Sequence, residues 1–330
     1  MIMKKQIVTG LICALMLSAA GCGDKATDSK GLEKEPLAEV VETSKGEENT
    51  QNAPATQTTD TKNTDNASAS ASDLYESFKS GTAKAKYRGT GDMTSYLETA
   101  AALEVGQSYT MEEIAEALKT VGEYADMGLD VKNTEYRLID CGQDGVPELL
   151  VEAQLGDEFM LIMILKEIDG ELVICFDQDA WSRSNTVVNS DGTIESGGSG
   201  GASLHYYDYA FVDANGDYKY YYGVEETSSM YDSYYAYKKG EDFVEISAEG
   251  LDWEHTGVRD YYFEPDYRER DNYYTYYLMD DEYMDVTTDA DYDDSNILKQ
   301  RFTEAGIRVY TQAEINDMIV SRGKEIGWPR

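Results

Sequence analysis

Five turn dipeptides, Asp144-Gly145, Asp169-Gly170, Asp191-Gly192, Asn215-Gly216 and Lys239-Gly240, recur about two dozen residues apart, and each is followed by a strand-like run. Dipeptides of this kind reverse an extended chain within two residues, so they commit the chain to hairpins. Breaks at Gly156-Asp157, Gly197 to Gly201 and Thr227 to Ser229 fall between them, leaving strands of about five to eleven residues. Such a chain folds as an antiparallel meander. Propeller blades need about 40–45 residues each and at least four to close, and residues 135–247 are too few for that. The expected fold is therefore α+β, mainly β: a curved open sheet or a sandwich with a few flanking helices.

The first hairpin is Leu138 to Glu152, a strand, an acidic glycine turn and a second strand in one short stretch. Met160 to Leu165 and Leu172 to Phe176 are continuously apolar and read as central strands covered on both faces. Tyr218 to Val224 and Tyr231 to Tyr237 are tyrosine-rich and read as more exposed strands. Helices are expected where Leu74, Tyr75 and Phe78 share a face before Gly81. Two more are expected where Thr110 with Glu113 and Thr311 with Glu314 form capping boxes ahead of apolar stripes. Trp253, Tyr261 to Phe263 and Tyr273 to Tyr277 suggest further strands and Ile307 to Tyr310 a short one. The acidic run Asp280 to Asp294 suggests a mobile loop.

The N-terminus carries Lys4 and Lys5, an apolar run from Ile7 to Leu17, and then Ser18-Ala19-Ala20-Gly21-Cys22. This is the layout of an export signal, too short for a comfortable membrane span. A cysteine directly after small residues resembles the lipobox of bacterial lipoproteins, with Ala19 where that motif usually has leucine. The resemblance implies cleavage before Cys22, acylation of Cys22, and anchorage to the lipid bilayer on the extracytoplasmic face. Residues 23–72 have almost no large apolar side chain and no aromatic one, so they cannot offset ordering entropy and read as a disordered tether. A flexible chain of about 50 residues spans roughly 40 Å. The organisation expected is a signal at 1–22, the tether at 23–72 and a helical lead-in at 73–134. An antiparallel β domain follows at 135–250, then a tyrosine-rich and acidic extension of it at 251–330 that ends in a helix.

The formal net charge of −36 argues against nucleic acid or anionic lipid surfaces as partners, because their phosphates would be repelled. It suits divalent cations or a basic partner. Asp140, Asp144 and Glu148 stand at the first, fifth and ninth positions of a loop resembling calcium-binding turns, and Asp213, Asn215 and Asp217 at the first, third and fifth of another. Calcium takes six to eight oxygens, whereas Gly142 and Tyr221 occupy positions that should supply two of them. The blander reading, hairpin turns whose aspartates bond nearby amides, is preferred.

Gly197-Gly198-Ser199-Gly200-Gly201 matches the spacing of a hydrolase nucleophile elbow, with Asp252 and His255 following in order. That elbow needs a helix after the serine, and Ala202 to Val212 reads as a strand, so a glycine-rich hairpin is preferred. His205 and His255 are the chain's histidines, too few for a multi-histidine zinc site. With Cys13 in the signal and Cys22 acylated, Cys141 and Cys175 remain; a disulfide and two buried thiols are both open readings.

The stretch Tyr75 to Gly81, the hairpin Leu138 to Glu152, Trp181-Ser182-Arg183-Ser184 and the Gly197 to Gly201 turn together resemble an uncharacterised family of surface lipoproteins from clostridial Gram-positive bacteria. The resemblance covers most of residues 73–247 and implies location and architecture but no activity. The expectation is a non-enzymatic, surface-anchored binding or structural module with no resident cofactor and an extracellular ligand or protein partner. The patch Trp181, Arg183, Ser199 and His205 is the candidate contact. The rival readings are an envelope-polymer hydrolase and a calcium-stiffened adhesive module.

Overall fold

The computed structural model describes residues 73–89, 102–120, 129–239, 243–266 and 270–329. The export signal, Cys22 and the tether lie outside them. The chain enters through helix α1 (73–79), in which Tyr75 and Phe78 face inward, and continues to short strands β1 (Ala85–Tyr87) and β2 (Ser108–Tyr109). Helix α2 (Met111–Leu118) follows with the expected capping box, Thr110 and Glu113 satisfying each other's backbone amides. Four strands then run as a meander: β3 (Val131–Ile139), β4 (Glu148–Leu155), β5 (Phe159–Ile168) and β6 (Glu171–Ala180). At the β5–β6 turn Asp169 and Gly170 both take positive φ, 53° and 80°, the mirror-image turn that matches strand twist.

This first sheet has the order β2-β1-β6-β5-β4-β3. β1 lies parallel to β6, with Ala85 opposite Leu172. The region expected to be a helical lead-in therefore contributes an edge to the sheet, and the meander carries one parallel pairing. Both faces of the sheet are covered. Leu149, Val151, Leu161, Met163 and Ile174 pack with Tyr75, Phe78 and Ile114 from the helices. Leu150, Ile162, Ile164 and Phe176 point the other way, onto Val188, Ile194, Ala210 and Val212 of a second sheet.

The second sheet contains β7 (Ser184–Val188), β8 (Thr193–Ser199), β9 (Leu204–Val212), β10 (Tyr218–Thr227), β13 (Thr256–Tyr262) and β14 (Tyr273–Leu278). Its order is β14-β13-β10-β9-β8-β7, while β11 (Ser233–Ala236) and β12 (Val244–Ser247) form a separate hairpin. That hairpin and helix α3 (Ile297–Glu304) cover one face of the β13–β14 end through Tyr234, Ile246, Leu298 and Phe302. Helix α4 (Gln312–Ile326) covers the opposite face, setting Ile315 against Val224 and Tyr261. The expected capping box at Thr311 and Glu314 starts α4.

The acidic run Asp280 to Asp294 is built differently from the mobile loop expected. It turns at Asp280, whose carboxylate accepts from the Glu282 and Met284 amides, and makes a 3-10 turn at Asp289–Tyr292. Tyr292 stacks on Tyr276 at 5.0 Å and donates to the Tyr276 carbonyl at 2.6 Å. Asp280 turns the run and Tyr292 ties it to the second sheet. The short strand expected at Ile307 to Tyr310 is reduced to a single parallel bridge, Tyr274 to Val309.

The two sheets are joined where three acidic glycine turns meet. The Asp140 amide donates to the Ser190 carbonyl at 2.9 Å, Gly142 to Asp191 at 3.3 Å, and Val212 to Gly192 at 3.0 Å. Gly192 sits at φ +82°, and a Cβ there would lie 2.8 Å from the Cys141 Sγ and 2.9 Å from the Val212 carbonyl oxygen. A Gly192→Ala variant therefore meets both left-handed strain and overpacking, at a combined cost of at least about 2 kcal/mol. Gly201→Ala, with open space around it and no positive φ, is expected within about 0.5 kcal/mol of the parent. Urea unfolding of the two variants checks this, and equal midpoints would refute the account of the junction.

Candidate functional site

Strand alternation gives the second sheet two different faces. On the α4 side, β9 presents His205, Tyr207, Tyr209 and Phe211. Phe211 packs edge-on to Trp328, 5.6 Å between centroids, and Tyr209 stacks on Tyr222 at 4.6 Å. Helix α4 stops short of the β7–β8 edge, where Val187 is 44% and Tyr207 38% exposed. An open groove of about 640 Å³ lies there, with Arg183, Ser199, His205 and Tyr207 on its walls and Gly197 and Gly198 on its floor. The floor exists because Gly197 has no side chain in the cross-strand row Asn185, Gly197, Tyr207.

The groove gathers Arg183, Ser199 and His205 of the patch read from the sequence, with Ser199 and His205 directly opposite in the β8–β9 register. Trp181 stands just outside the lining, 46% exposed, its amide held by the Ser184 hydroxyl at 3.0 Å. Among the described residues Arg183 is the one arginine whose guanidinium makes neither an ion pair nor a hydrogen bond. In a chain with 64 acidic residues that is a guanidinium left for something else.

The hydrolase arrangement is not assembled. Ser199 lies at the end of a strand in a hairpin, and its hydroxyl donates to the Gly201 carbonyl at 2.8 Å. His255 pairs with Asp252 at 3.0 Å, which raises its pKa, and its ring leans on Tyr283. No hydrogen bond among the described residues links Ser199 to either histidine.

The calcium ligands read from the turns are likewise engaged elsewhere. Asp140 accepts from the Gly145 amide at 3.1 Å, Asp144 from the Val146 amide at 2.8 Å, and Asp213 from the Asn215 and Asp217 amides at 2.8 and 3.0 Å. Glu148 is turned into the core, where it accepts from the Cys141 amide at 2.7 Å and pairs with Lys166. Among the described residues no three carboxylate, histidine or cysteine side chains are gathered to hold a metal. The disulfide reading is also corrected: Cys141 and Cys175 are both buried free thiols. Burial pushes the Cys175 pKa up to about 11 and that of Cys141 higher, so both stay protonated and unreactive.

A set of residues not foreseen from the sequence occupies the other face of the same sheet. Asp208 lies in line with Ala210 and Val212, which pack on the first sheet; that parity was the available signal for an inward carboxylate. Beside it lie Tyr220, whose hydroxyl donates to Asp208 at 2.6 Å, and Tyr262, at 3.3 Å from the same oxygen. Glu225 and Asp260 face each other across the β10–β13 pairing, and Asp260 is only 3% exposed.

Burial lifts the Asp260 carboxyl to about 7 against the pull of the Arg270 guanidinium. The folded chain then holds a proton that the unfolded chain releases near its ordinary value of about 4. Stability falls as pH rises between about 4 and 7 and is level above. An Asp260→Asn variant has no such proton to lose. It is expected to gain on the parent by on the order of a few kcal/mol between pH 4 and pH 8, read from urea unfolding at both values. Parallel pH curves would show that Asp260 titrates normally.

No family model, curated protein or solved structure matches the chain. Among the described residues no helix is long and apolar enough to cross a membrane.

Proposed function

We propose that the chain is a non-enzymatic, lipid-anchored lipoprotein of the extracytoplasmic surface, of the clostridial type its sequence resembles, whose β domain binds a neutral extracellular glycan in the Arg183–Tyr207 groove. The observation that carries this reading is the unpaired Arg183 guanidinium beside a glycine floor and an exposed tyrosine. Missing side chains let a flat polymer approach the strand. Tyr207 and Trp181 offer rings on which sugar faces can lie with their polar tips wet. Arg183 supplies several fixed donors for hydroxyl oxygens. A neutral polymer is favoured over an anionic one because the net charge of −36 repels the latter.

The surface location rests on Lys4, Lys5, the apolar run and Cys22, and the reach on the composition of residues 23–72. A Cys22→Ser variant is expected to lose metabolic labelling by palmitate and to appear in the medium; continued labelling and membrane retention would refute the anchor. For the groove, retention on insoluble cell-wall glycan is expected to weaken at least tenfold, about 1.4 kcal/mol, in Tyr207→Ala and in Arg183→Ala. Trp181→Ala is expected to have a smaller effect from its place outside the lining. Unchanged retention in both of the first two variants would remove the groove as the binding surface.

A further inference from the structure

The inner face of the second sheet is apolar at both ends and polar in the middle. At one end Val188, Ile194, Ala210 and Val212 lie under the first sheet; at the other Val258, Tyr274 and Tyr276 lie under the β11–β12 hairpin and α3. Between them, one cross-strand row runs from Tyr206 through Glu225 and Asp260 to Tyr274 of the second cluster, and the next holds Asp208, Gly223 and Tyr262. Gly223 lets the Tyr262 ring lie flat on the strand, since a Cβ would come 2.2 Å from that ring. The Arg270 guanidinium rests 3.7 Å from the Tyr262 centroid.

The charges here do not balance. Among the described residues Asp208, Glu225 and Asp260 face a single cation, Arg270, whose nearest nitrogen is 3.9 Å from Asp260, beyond hydrogen-bond reach. Asp260 is fully desolvated and its Oδ1 has no partner, and neither does the Oδ1 of Asn272, although the Asn272 amide donates to the other Asp260 oxygen at 2.5 Å. Among the described residues the Glu225 carboxylate also makes no hydrogen bond. Buried acceptors left this way cost free energy unless something supplies donors. Asp208 and Glu225 are half-buried, so solvent reaches the rim of the cluster.

We propose that this acid- and tyrosine-lined site binds the ammonium group of a small primary amine. An alkylammonium carries three N–H donors, matching the three open acceptors Asp260 Oδ1, Asn272 Oδ1 and the Glu225 carboxylate. Its positive charge offsets a second of the three carboxylates. The surrounding tyrosine rings accept a cation on their faces. The site is on the opposite face of the sheet from the groove and does not depend on it.

The test is a thermal melt of the whole chain at pH 8 titrated with n-butylammonium chloride. Sodium chloride and tetramethylammonium chloride at equal ionic strength are the comparisons, and titration calorimetry with butylammonium is the second readout. A saturable rise in Tm with butylammonium alone is expected. Glu225→Gln, at a half-exposed position, should still melt cooperatively and bind butylammonium at least tenfold more weakly, while Arg183→Ala should bind it unchanged. An equal rise with sodium would mean general screening of the net charge. An equal rise with tetramethylammonium would mean attraction to the rings without recognition of N–H groups. Either result, no rise at all, or unaltered affinity in Glu225→Gln would overturn the assignment.

Discussion

The buried ion pair between Glu148 and Lys166 is the interaction on which the junction of the two sheets depends. Glu148 is wholly buried at the first residue of β4, and Lys166, near the end of β5, is its only cationic partner among the described residues. Burial lifts the Glu148 pKa, and burial also works against the Lys166 charge, but the hydrogen bond and charge of Glu148 leave Lys166 raised. The Cys141 amide gives the carboxylate a further donor, which favours its ionised form. This pins the turn that carries Cys141 and Gly142 onto the two turns of the second sheet. Removing either charge would leave the other buried without a partner, a cost of roughly 3–5 kcal/mol. Burying the pair is not in itself a gain; its consequence is that the turn has one place to sit.

The groove follows from that placement and from the length of α4. Fifteen residues of helix cover β10 and β13 on one face and leave β7, β8 and the His205–Tyr207 end of β9 open. A sheet edge with exposed apolar residues usually needs protection against pairing with another chain. Here the exposed face is interrupted by Gly197 and Gly198 and bordered by Glu195, Arg183 and His205, so it is a shallow trough instead of a continuous apolar strip.

Local features of this fold were legible in the sequence because their causes are local. Thr110 with Glu113 and Thr311 with Glu314 cap the helices they announce, and Asp169-Gly170 turns where its backbone preference requires. Arg183, Ser199 and His205 could be placed together because two successive hairpins that share β8 set their register. What escaped depends on partners distant in the chain. Glu148 looked like the end of a calcium loop until Lys166, eighteen residues on, came beside it. The acidic run was read as mobile from its charge, while the contact of Tyr292 with Tyr276 ties it to the second sheet. The parallel pairing of β1 with β6 joins segments more than eighty residues apart, and no local pattern encodes it.

The two proposed sites are tied to each other through strand register. On β9, His205 and Tyr207 face the groove while Tyr206 and Asp208 face the acidic cluster, so a slip of one residue would exchange the two sets. Register is fixed in the first half of the neighbouring strand. The turn at Asp213 to Asp217 sets the start of β10, and a bulge between Tyr220 and Tyr222 inserts Tyr221 on the α4 side, where it stacks on Trp328 at 4.4 Å. Without the bulge Gly223 would not fall beneath the Tyr262 ring, because Tyr262 pairs with Gly223 and Gly223 with Asp208. One extra residue in β10 thus sets which acids meet Arg270 and which aromatic rings back α4.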